Sequence, residues 1–339
     1  MNNLIEVLIT IPFTDSQVAN LRNISPRLNI TVAQARKPDD IPLDTWNRTE
    51  VLYTDRVLPP PAHVPNLNWI QFHSAGIDFA VDSPLLKMPG IVATTLSGAA
   101  AVQVAEYAVM MMLTLGHRLL DLLALQSHSE WPRDRWERFL PQELSGSTVG
   151  LVGYGSLGRQ IARVLQPFGA TVLATKRDVM HPQDMDYTVD GLGDPQGDYF
   201  HRLYPIQALR SMLKECDFIV DTLPLTPETR SRIDAEMLEV VKPTAFLIDL
   251  SRGGIVNQAA LINALQEHRL AGAALDVFTE EPLPPASPLW SMPNVIITPH
   301  LSGISPHYDE RAVALFGENL NRYLVGLPLY NRFDSHKGY

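Results

Sequence analysis

The sequence predicts an α/β protein with two domains, each built around a parallel sheet. The chain has 339 residues, which is enough for two domains of ordinary size. Short apolar runs alternate with helical patterns along most of its length, as is typical of parallel strands joined by helices. Several later runs, such as 218–220 and 245–248, are continuously apolar. Helices are therefore expected to cover both faces of those strands.

The first hundred residues are predicted to form a small α/β domain with a parallel sheet. A helix is expected over residues 15–24, and Thr14 stands where an N-cap residue belongs. Polar and proline-rich connections separate the apolar runs, as expected for surface loops. The predicted strands of this domain are 4–11, 29–33, 51–54 and 69–72.

Two long helical patterns set the predicted domain organisation. The first covers residues 100–123 and leads into the second domain. The other lies near the C-terminus and ends at Gly326, a residue type that commonly stops helices. Because no strand follows this last helix, it is expected to pack against the first domain. We therefore predict a discontinuous first domain, residues 1–100 plus 304–339, and a second domain of residues 101–303.

The second domain is predicted to repeat the strand and helix units, with two interruptions. Residues 177–204 are rich in Asp, Gly and Pro and are expected to form a long, mobile surface insertion. Residues 126–141 carry interleaved aromatic side chains and form either a subunit contact or a loop packed on itself. A helix is expected over 206–214. The predicted strands are 149–152, 170–174, 218–221, 245–249, 273–277 and 295–298.

Composition excludes several classes of function. The net charge of −10 argues against a nucleic-acid partner. The single cysteine, Cys216, cannot form an internal disulfide and suits a reducing, cytoplasmic compartment. The longest apolar stretch, 99–125, is interrupted by charged residues and is expected to be a buried helix rather than a membrane span. Neither a signal peptide nor a metal-binding motif is apparent in the sequence.

A glycine-rich turn at residues 153–158 predicts a dinucleotide site. It follows an apolar strand and opens a helix, which is the order found in dinucleotide-binding units. Gly153 permits the tight turn, Gly155 lets the backbone approach a pyrophosphate, and Gly158 allows the helix to pack closely on the strand. The N–H groups at the start of the helix would then face the anion.

Three segments that follow late strands carry side chains suited to catalysis. Arg252 could bind a carboxylate with its planar guanidinium, although by itself a surface arginine in a loop is the simpler interpretation. Glu280 and Glu281 end another strand, where a solvated acidic turn is the simpler interpretation. His300 follows an apolar strand and is either structural or, beside a carboxylate, a general acid and base. The turn at 73–78 could hold a carboxylate on its backbone N–H groups, although an ordinary turn is the simpler interpretation of the spacing alone.

Together these segments resemble the D-isomer-specific 2-hydroxyacid dehydrogenase family. The resemblance runs from about Trp69 to Asn331 and rests on motifs that occur in the family's order. The sequence around Trp290 is most similar to the glyoxylate and hydroxypyruvate reductase branch. The motifs are Ser74-Ala75-Gly76-Ile77-Asp78, the Gly153 turn, Ser251-Arg252-Gly253-Gly254-Ile255-Val256, Glu281-Pro282 and Pro299-His300.

The resemblance implies two doubly wound Rossmann-like domains with a cleft between them, in a homodimer formed through the cofactor domain. It implies reduction of a small 2-oxo acid to the D-2-hydroxy acid by hydride transfer, with His300 as proton donor, Glu281 as its partner and Arg252 as substrate ligand. Further substrate contacts would come from Ser74, Ala75 and Gly76. The implied cofactor-binding set is Gly153, Gly155, Ser156, Leu157, Gly158, Lys176, Arg177, Leu223, Leu250, Ser251, Asp276, His300 and Gly303.

The end of the second strand of the cofactor domain departs from the commonest family pattern. NAD-specific relatives carry an acidic residue there for the ribose 2′-hydroxyl, whereas this chain has Lys176 and Arg177. Two cations suit a 2′-phosphate, so NADP(H) is predicted over NAD(H), although Asp178 leaves NAD(H) possible. The alternative function is a dinucleotide-sensing regulator similar to the family's corepressor branch. A formate dehydrogenase is disfavoured by Glu281, and a short-chain dehydrogenase by the lack of Tyr-x-x-x-Lys.

Overall fold

The computed structural model describes residues 4–335, 337 and 338. The strands are β1 (Ile5–Ile9), β2 (Leu28–Val32), β3 (Val51–Thr54), β4 (Trp69–Phe72), β5 (Val92–Thr94), β6 (Thr148–Val152), β7 (Thr171–Lys176), β8 (Arg202–Pro205), β9 (Phe218–Asp221), β10 (Phe246–Asp249), β11 (Gly272–Leu275) and β12 (Val295–Ile297). The α-helices are α1 (Asp15–Arg22), α2 (Leu43–Arg48), α3 (Ala101–Gly116), α4 (Leu119–Ser127), α5 (Arg135–Arg138), α6 (Ser156–Leu165), α7 (Leu209–Leu213), α8 (Ala235–Leu238), α9 (Gln258–Gln266) and α10 (Tyr308–Leu324).

The fold is α/β with parallel sheets, as predicted. Contacts divide the chain into one unit of Met1–Ala99 with Ser305–Tyr339 and another of Ala100–Ile304. The first unit holds a five-stranded sheet of order β2-β1-β3-β4-β5, and the second a seven-stranded sheet of order β12-β11-β10-β9-β6-β7-β8. In the larger sheet the strand order reverses between β6 and β9, the point where open α/β sheets bind ligands at their carboxyl edge.

The core of the first unit joins its sheet to α1 and α10. Phe316 and Leu320 of α10 are fully buried against Tyr53 and Trp69 of the sheet. The predicted cap of α1 is confirmed, because Thr14 Oγ1 accepts a hydrogen bond from the N–H of Gln17 at 3.3 Å. The C-terminal helix is therefore part of this core, although about 200 residues of the other unit separate it in sequence from the strands.

Helices cover both faces of the larger sheet, which explains its continuously apolar strands. One hydrophobic core lies between the sheet and helices α3 and α6, and another lies on the opposite face under α7, α8 and α9. The strands β9 and β10 are buried along nearly their whole length, including the aspartates at their carboxyl ends. This double layer leaves the carboxyl edge of the sheet as the place where the loops carrying functional groups emerge.

The single helix predicted over 100–123 is wrong, because the chain breaks after Gly116. Arg118 adopts a left-handed conformation with φ of 55°, and α4 leaves α3 at an angle of 62°. The backbone of Gln142 approaches closely at this break: the Gly116 carbonyl accepts the N–H of Gln142 at 2.9 Å, and a Cβ at Gly116 would lie 2.5 Å from the carbonyl oxygen of Gln142. Within the described residues no helix alone is long and apolar enough to cross a membrane, and only this bent pair together passes that test.

The predicted mobile insertion over 177–204 is also corrected in part. Its last residues form β8 at the edge of the sheet, paired with β7. Upstream of that strand, Asp194 is almost fully buried, and its carboxylate accepts hydrogen bonds from the N–H groups of Asp198 and Tyr199. The segment is therefore packed onto the domain by buried polar contacts.

Candidate active site

The candidate active site is assembled at the carboxyl edge of the seven-stranded sheet. Because parallel strands end at the same edge, loops that are distant in sequence emerge side by side. The segments carrying Arg252, Glu281 and His300 follow β10, β11 and β12, which are consecutive in the sheet. The glycine turn follows β6, and Lys176 ends β7. The predicted residues of this unit therefore share one edge.

His300 and Glu281 form a hydrogen-bonded pair. The Nδ1 atom of His300 lies 2.8 Å from Glu281 Oε2, and both side chains are about two-fifths exposed. The other carboxylate oxygen of Glu281 accepts a hydrogen bond from the N–H of Phe278 at 3.0 Å. The glutamate is thus oriented by its own loop and orients the imidazole in turn. With Nδ1 engaged, Nε2 is the ring nitrogen available to a substrate.

A buried aspartate fixes the loop that carries His300. The histidine has φ of 54°, a left-handed conformation that a non-glycine residue adopts only when its surroundings impose it. Asp276 supplies this constraint: its carboxylate accepts the N–H groups of Leu301 and Ser302 at 2.8 and 2.9 Å. It also accepts the hydroxyl of Thr298 at 2.7 Å. Asp276 is fully buried, so it acts on the site through this loop.

The Arg252 loop is packed directly on the segment that carries Glu281. A Cβ at Gly253 would lie 1.8 Å from the carbonyl oxygen of Phe278, so only glycine permits this approach. Arg252 itself is half-buried, and its guanidinium donates to the carbonyl of Ser251 at 2.8 Å. The backbone contact brings the arginine loop and the glutamate loop together.

The glycine turn fits a pyrophosphate. Gly153 has φ of 106°, and a Cβ at Gly158 would lie 2.2 Å from the carbonyl oxygen of Gly153. A Cβ at Gly155 would meet no atom within 4 Å, so the backbone at this position borders open space. Helix α6 begins at Ser156 and presents its positive N-terminal end to that space. The three glycines therefore have the conformations and contacts that a dinucleotide turn needs.

The two predicted ribose-end cations lie at the end of β7 and are engaged differently. The Lys176 ammonium donates to the carbonyl oxygens of His181 and Gln183. Burial lowers the pKa of Lys176. The Arg177 guanidinium lies 3.2 Å from a carboxylate oxygen of Glu228. The Lys176 ammonium thus binds the backbone of the segment that follows it in sequence.

Other predicted residues of this set are placed around the edge, and Asp178 contacts its own turn. The Asp178 carboxylate accepts the N–H of Met180 at 3.0 Å and lies 2.7 Å from His181 Nδ1. Leu250 and Ser251 are buried behind Arg252. Leu223 packs on the core of the larger sheet, and Gly303 lies against Ala100.

The predicted substrate loop belongs to the first unit and follows β4. The Ser74 hydroxyl donates to the carbonyl of Gly76 at 3.0 Å, and the Ser74 carbonyl accepts the N–H of Leu96 at 2.9 Å. Within the described residues, the N–H groups of Ala75 and Gly76 have no hydrogen-bond acceptor. Two adjacent N–H groups without acceptors in a tight turn can bind a carboxylate.

A pair of buried aspartates was not anticipated from the sequence. Asp221 and Asp249 end the neighbouring strands β9 and β10 and stand opposite each other in register. Asp249 Oδ1 accepts both the hydroxyl and the N–H of Ser251, at 2.5 and 3.2 Å, and Asp221 Oδ1 accepts the N–H of Leu223 at 3.1 Å. Burial raises the pKa of both carboxyls, that of Asp249 to about 7. The sequence signal that could have predicted this pair is the aspartate at the end of each apolar strand.

Comparisons with known proteins agree with these features. The family model for the D-isomer specific 2-hydroxyacid dehydrogenase NAD-binding domain matches residues 109–302. A glyoxylate reductase from Thermofilum pendens is 33% identical over 263 residues, covering 77% of this chain and 73% of the relative. An (S)-sulfolactate dehydrogenase from Chromohalobacter salexigens is 34% identical over 280 residues, covering 82% of each chain.

A solved structure extends the similarity to the whole chain. The D-isomer specific 2-hydroxyacid dehydrogenase from Xanthobacter autotrophicus Py2, in complex with NADPH and MES, superimposes with a TM-score of 0.79 at 28% identity. The match covers 98% of this chain and 99% of that one. The chain therefore belongs to the D-isomer specific 2-hydroxyacid dehydrogenase family and is an NAD(P)-dependent oxidoreductase.

Proposed function

We propose that the protein reduces a small 2-oxo acid of the glyoxylate or hydroxypyruvate class to the D-2-hydroxy acid. The observation that carries this proposal is the 2.8 Å contact between His300 Nδ1 and Glu281 Oε2. A carboxylate that holds Nδ1 fixes the ring and stabilises the imidazolium, which leaves Nε2 to exchange a proton with substrate. The similarity to a glyoxylate reductase supports the substrate class.

Each proposed catalytic residue has a distinct role in the reaction. The Gly153–Gly158 turn would hold the dinucleotide, whose nicotinamide would supply the hydride for the C2 carbonyl carbon. His300 donates a proton from Nε2 to the carbonyl oxygen as negative charge develops there, and Glu281 keeps the ring in the orientation for transfer. The Arg252 guanidinium stabilises the same developing charge and orients the substrate carboxylate. The family resemblance assigns the backbone N–H groups of Ala75 and Gly76 to the substrate carboxylate as well.

NADP(H) is the proposed cofactor, with Arg177 as the main ligand of the 2′-phosphate. Lys176 directs its ammonium to backbone carbonyls, so it adds positive charge near the phosphate while holding the following segment. Arg177 faces Glu228 across 3.2 Å, and a bound 2′-phosphate would replace this carboxylate as its partner. The NADPH complex of the Xanthobacter relative supports this proposal.

The test is a panel of 2-oxo acids run with NADPH and with NADH. We expect the highest kcat/KM with glyoxylate or hydroxypyruvate and NADPH, and loss of the NADPH preference in Arg177→Ala. A clear preference for NADH in the wild-type protein contradicts the cofactor proposal. If no 2-oxo acid is turned over while cofactor binds, the protein is instead a dinucleotide-sensing regulator.

The proposed assembly is a homodimer formed through the cofactor domain, the unit of residues 100–304. Trp131 and Trp136 lie on the segment after α4 and are 83% and 75% exposed. Large exposed aromatic side chains are enriched in protein interfaces. Sedimentation velocity at several protein concentrations distinguishes a dimer from a monomer.

A further inference from the structure

Residues 178–201, here called the insertion, are tied to the glycine turn by one buried arginine. Arg159 lies on the first turn of α6, directly after Gly158, and is 2% exposed. Its guanidinium donates to the carbonyl oxygens of Pro182 and Asp194, each at 2.5 Å. Its Nε also lies 3.2 Å from Asp184 Oδ2, as an ion pair rather than a hydrogen bond. One side chain therefore holds the insertion at three points.

A second contact comes from within the glycine turn itself. Tyr154 stands between Gly153 and Gly155, and its hydroxyl donates to Asp194 Oδ2 at 2.5 Å. The Arg159 guanidinium also lies over the Tyr154 ring, 4.8 Å from its centroid. A residue of the glycine turn thus binds the Asp194 carboxylate. The same carboxylate accepts hydrogen bonds from the N–H groups of residues 197–199 of the insertion.

The insertion also borders the end of β7, where the adenosine ribose binds in dinucleotide folds. It begins immediately after Arg177, and its residues His181 and Gln183 accept the two hydrogen bonds of Lys176. Arg159 donates to the carbonyl of Pro182, the residue between those two, and its positive charge adds to burial in lowering the pKa of Lys176. The insertion, the turn and the ribose end of the site therefore form one connected polar network.

We propose that Arg159 is a positioning residue of the cofactor site. It fixes the insertion in place between the phosphate-binding turn and the ribose end of β7. Burying a guanidinium is unfavourable unless it finds polar partners, and here the insertion supplies two carbonyl acceptors and the Asp184 carboxylate as an ion-pair partner. A loop that served only to connect two strands would not need a fully buried charge on the cofactor helix. The inference rests on the proposed placement of the dinucleotide on the Gly153–Gly158 turn.

The experiment compares Arg159→Met with a matched control, Arg232→Met. Arg232 is a half-buried arginine of the same unit that donates to the carbonyl of Ile206 at 2.6 Å, away from the insertion. NADPH and NADH affinities are measured by nicotinamide fluorescence, and KM for cofactor and kcat by steady-state kinetics. We expect Arg159→Met to bind both cofactors about tenfold more weakly, the size of one lost charge-assisted hydrogen bond.

The same variant is expected to raise the KM for cofactor while kcat at saturating cofactor stays near the wild-type value. Arg232→Met is expected to lower thermal stability with unchanged cofactor affinity. Hydrogen exchange adds a readout that does not depend on turnover: the N–H groups of residues 193–199 should exchange faster in Arg159→Met, and cofactor should protect them in the wild-type protein. This reciprocity follows from linkage between the two events.

A less disruptive variant keeps the inference testable if Arg159→Met does not fold. Tyr154→Phe removes only the hydroxyl that donates to Asp194, and a smaller loss of affinity for both cofactors is expected. Wild-type affinity in every folded variant, or no effect of cofactor on exchange in the insertion, overturns the inference. Failure of the wild-type protein to bind either cofactor would instead refute the proposed placement of the dinucleotide.

Discussion

Replacing Asp249 by asparagine is predicted to stabilise the unit of residues 100–304, most strongly at alkaline pH. Asp249 and Asp221 are 4% and 0% exposed and stand opposite each other on neighbouring strands. Within the described residues, Asp221 Oδ2 is a buried oxygen without a hydrogen-bond partner. Two carboxylates in such a place repel each other and lose hydration when both are ionised. The pair therefore favours holding a proton in the folded protein.

The size of the effect follows from the pKa of Asp249. Burial raises this pKa from its ordinary value of 3.8 to about 7, with further contributions from the charges of Asp276 and Glu281, although hydrogen bonds from Ser251 oppose the rise. A carboxyl whose pKa is higher in the folded state stabilises the fold fully below its unfolded pKa. That stabilisation is lost as the pH rises through the folded pKa. The wild-type protein should therefore lose stability, on the order of a few kcal/mol, between about pH 4 and about pH 7.

The substitution removes this loss because an amide does not ionise. Its oxygen can still accept the hydroxyl and N–H of Ser251, and its nitrogen can donate towards Asp221. We expect the unfolding free energy of Asp249→Asn to depend less on pH and to exceed the wild-type value by about 2 to 4 kcal/mol near pH 8. Urea unfolding followed by circular dichroism from about pH 5 to about pH 8 measures this difference.

Asp217→Asn is the matched control, at the other end of β9. The Asp217 carboxylate is only partly buried, lies 2.8 Å from the Lys242 ammonium, and accepts the N–H of Thr148. Removing its charge should lower stability at neutral pH rather than raise it. The reasoning is refuted if Asp249→Asn is less stable than the wild-type protein near pH 8 or keeps the same dependence on pH.

Three further predictions concern the loops at the sheet edge. His300→Ala should lower kcat by about 10² to 10⁴ with folding intact, and Glu281→Gln should lower it less; steady-state kinetics and circular dichroism check this, and unchanged turnover in His300→Ala contradicts the acid role. Asp276→Asn should lower kcat about tenfold, because both carboxylate oxygens accept hydrogen bonds and an amide nitrogen cannot; KM for cofactor separates this from a binding defect. Gly253→Ala should destabilise the fold by about 1 to 3 kcal/mol, since its Cβ would overlap the Phe278 carbonyl; a wild-type melting temperature would contradict this.

Local patterns in the sequence predicted the features that depend on short-range geometry. The glycine turn is one, because the tight turn at Gly153 and the helix start at Ser156 are encoded within a few residues. The strand periodicity likewise predicted both parallel sheets. The break after Gly116 is not predicted because the apolar pattern continues through it, and the backbone of Gln142 that approaches Gly116 there is distant in sequence. Long-range contacts of this kind leave no local signal.

The polar networks were the least predictable part of the candidate site. Arg159 and Asp194 are 35 residues apart, and in sequence one looks like an exposed helix residue and the other like part of a loop. Only the folded chain shows that both are buried and that Arg159 donates to the backbone carbonyl of Asp194. His300 and Glu281 were paired in advance through the family resemblance, not through any local pattern that joins them.

At the carboxyl edge of the larger sheet, the same hydrogen-bonding arrangement occurs three times. Asp221, Asp249 and Asp276 end or follow three consecutive strands, and each accepts N–H groups from a loop of the site. The first two hold the loop of their own strand, whereas Asp276 reaches the loop of the next strand and so fixes His300. Short acidic side chains suit this task because they accept several N–H groups while staying within the sheet layer. This arrangement places three mutually repelling acids side by side. A proton retained on the Asp221–Asp249 pair lets these two carboxyls remain buried. Asp276 can then use both of its carboxylate oxygens to accept hydrogen bonds from the loop that carries His300.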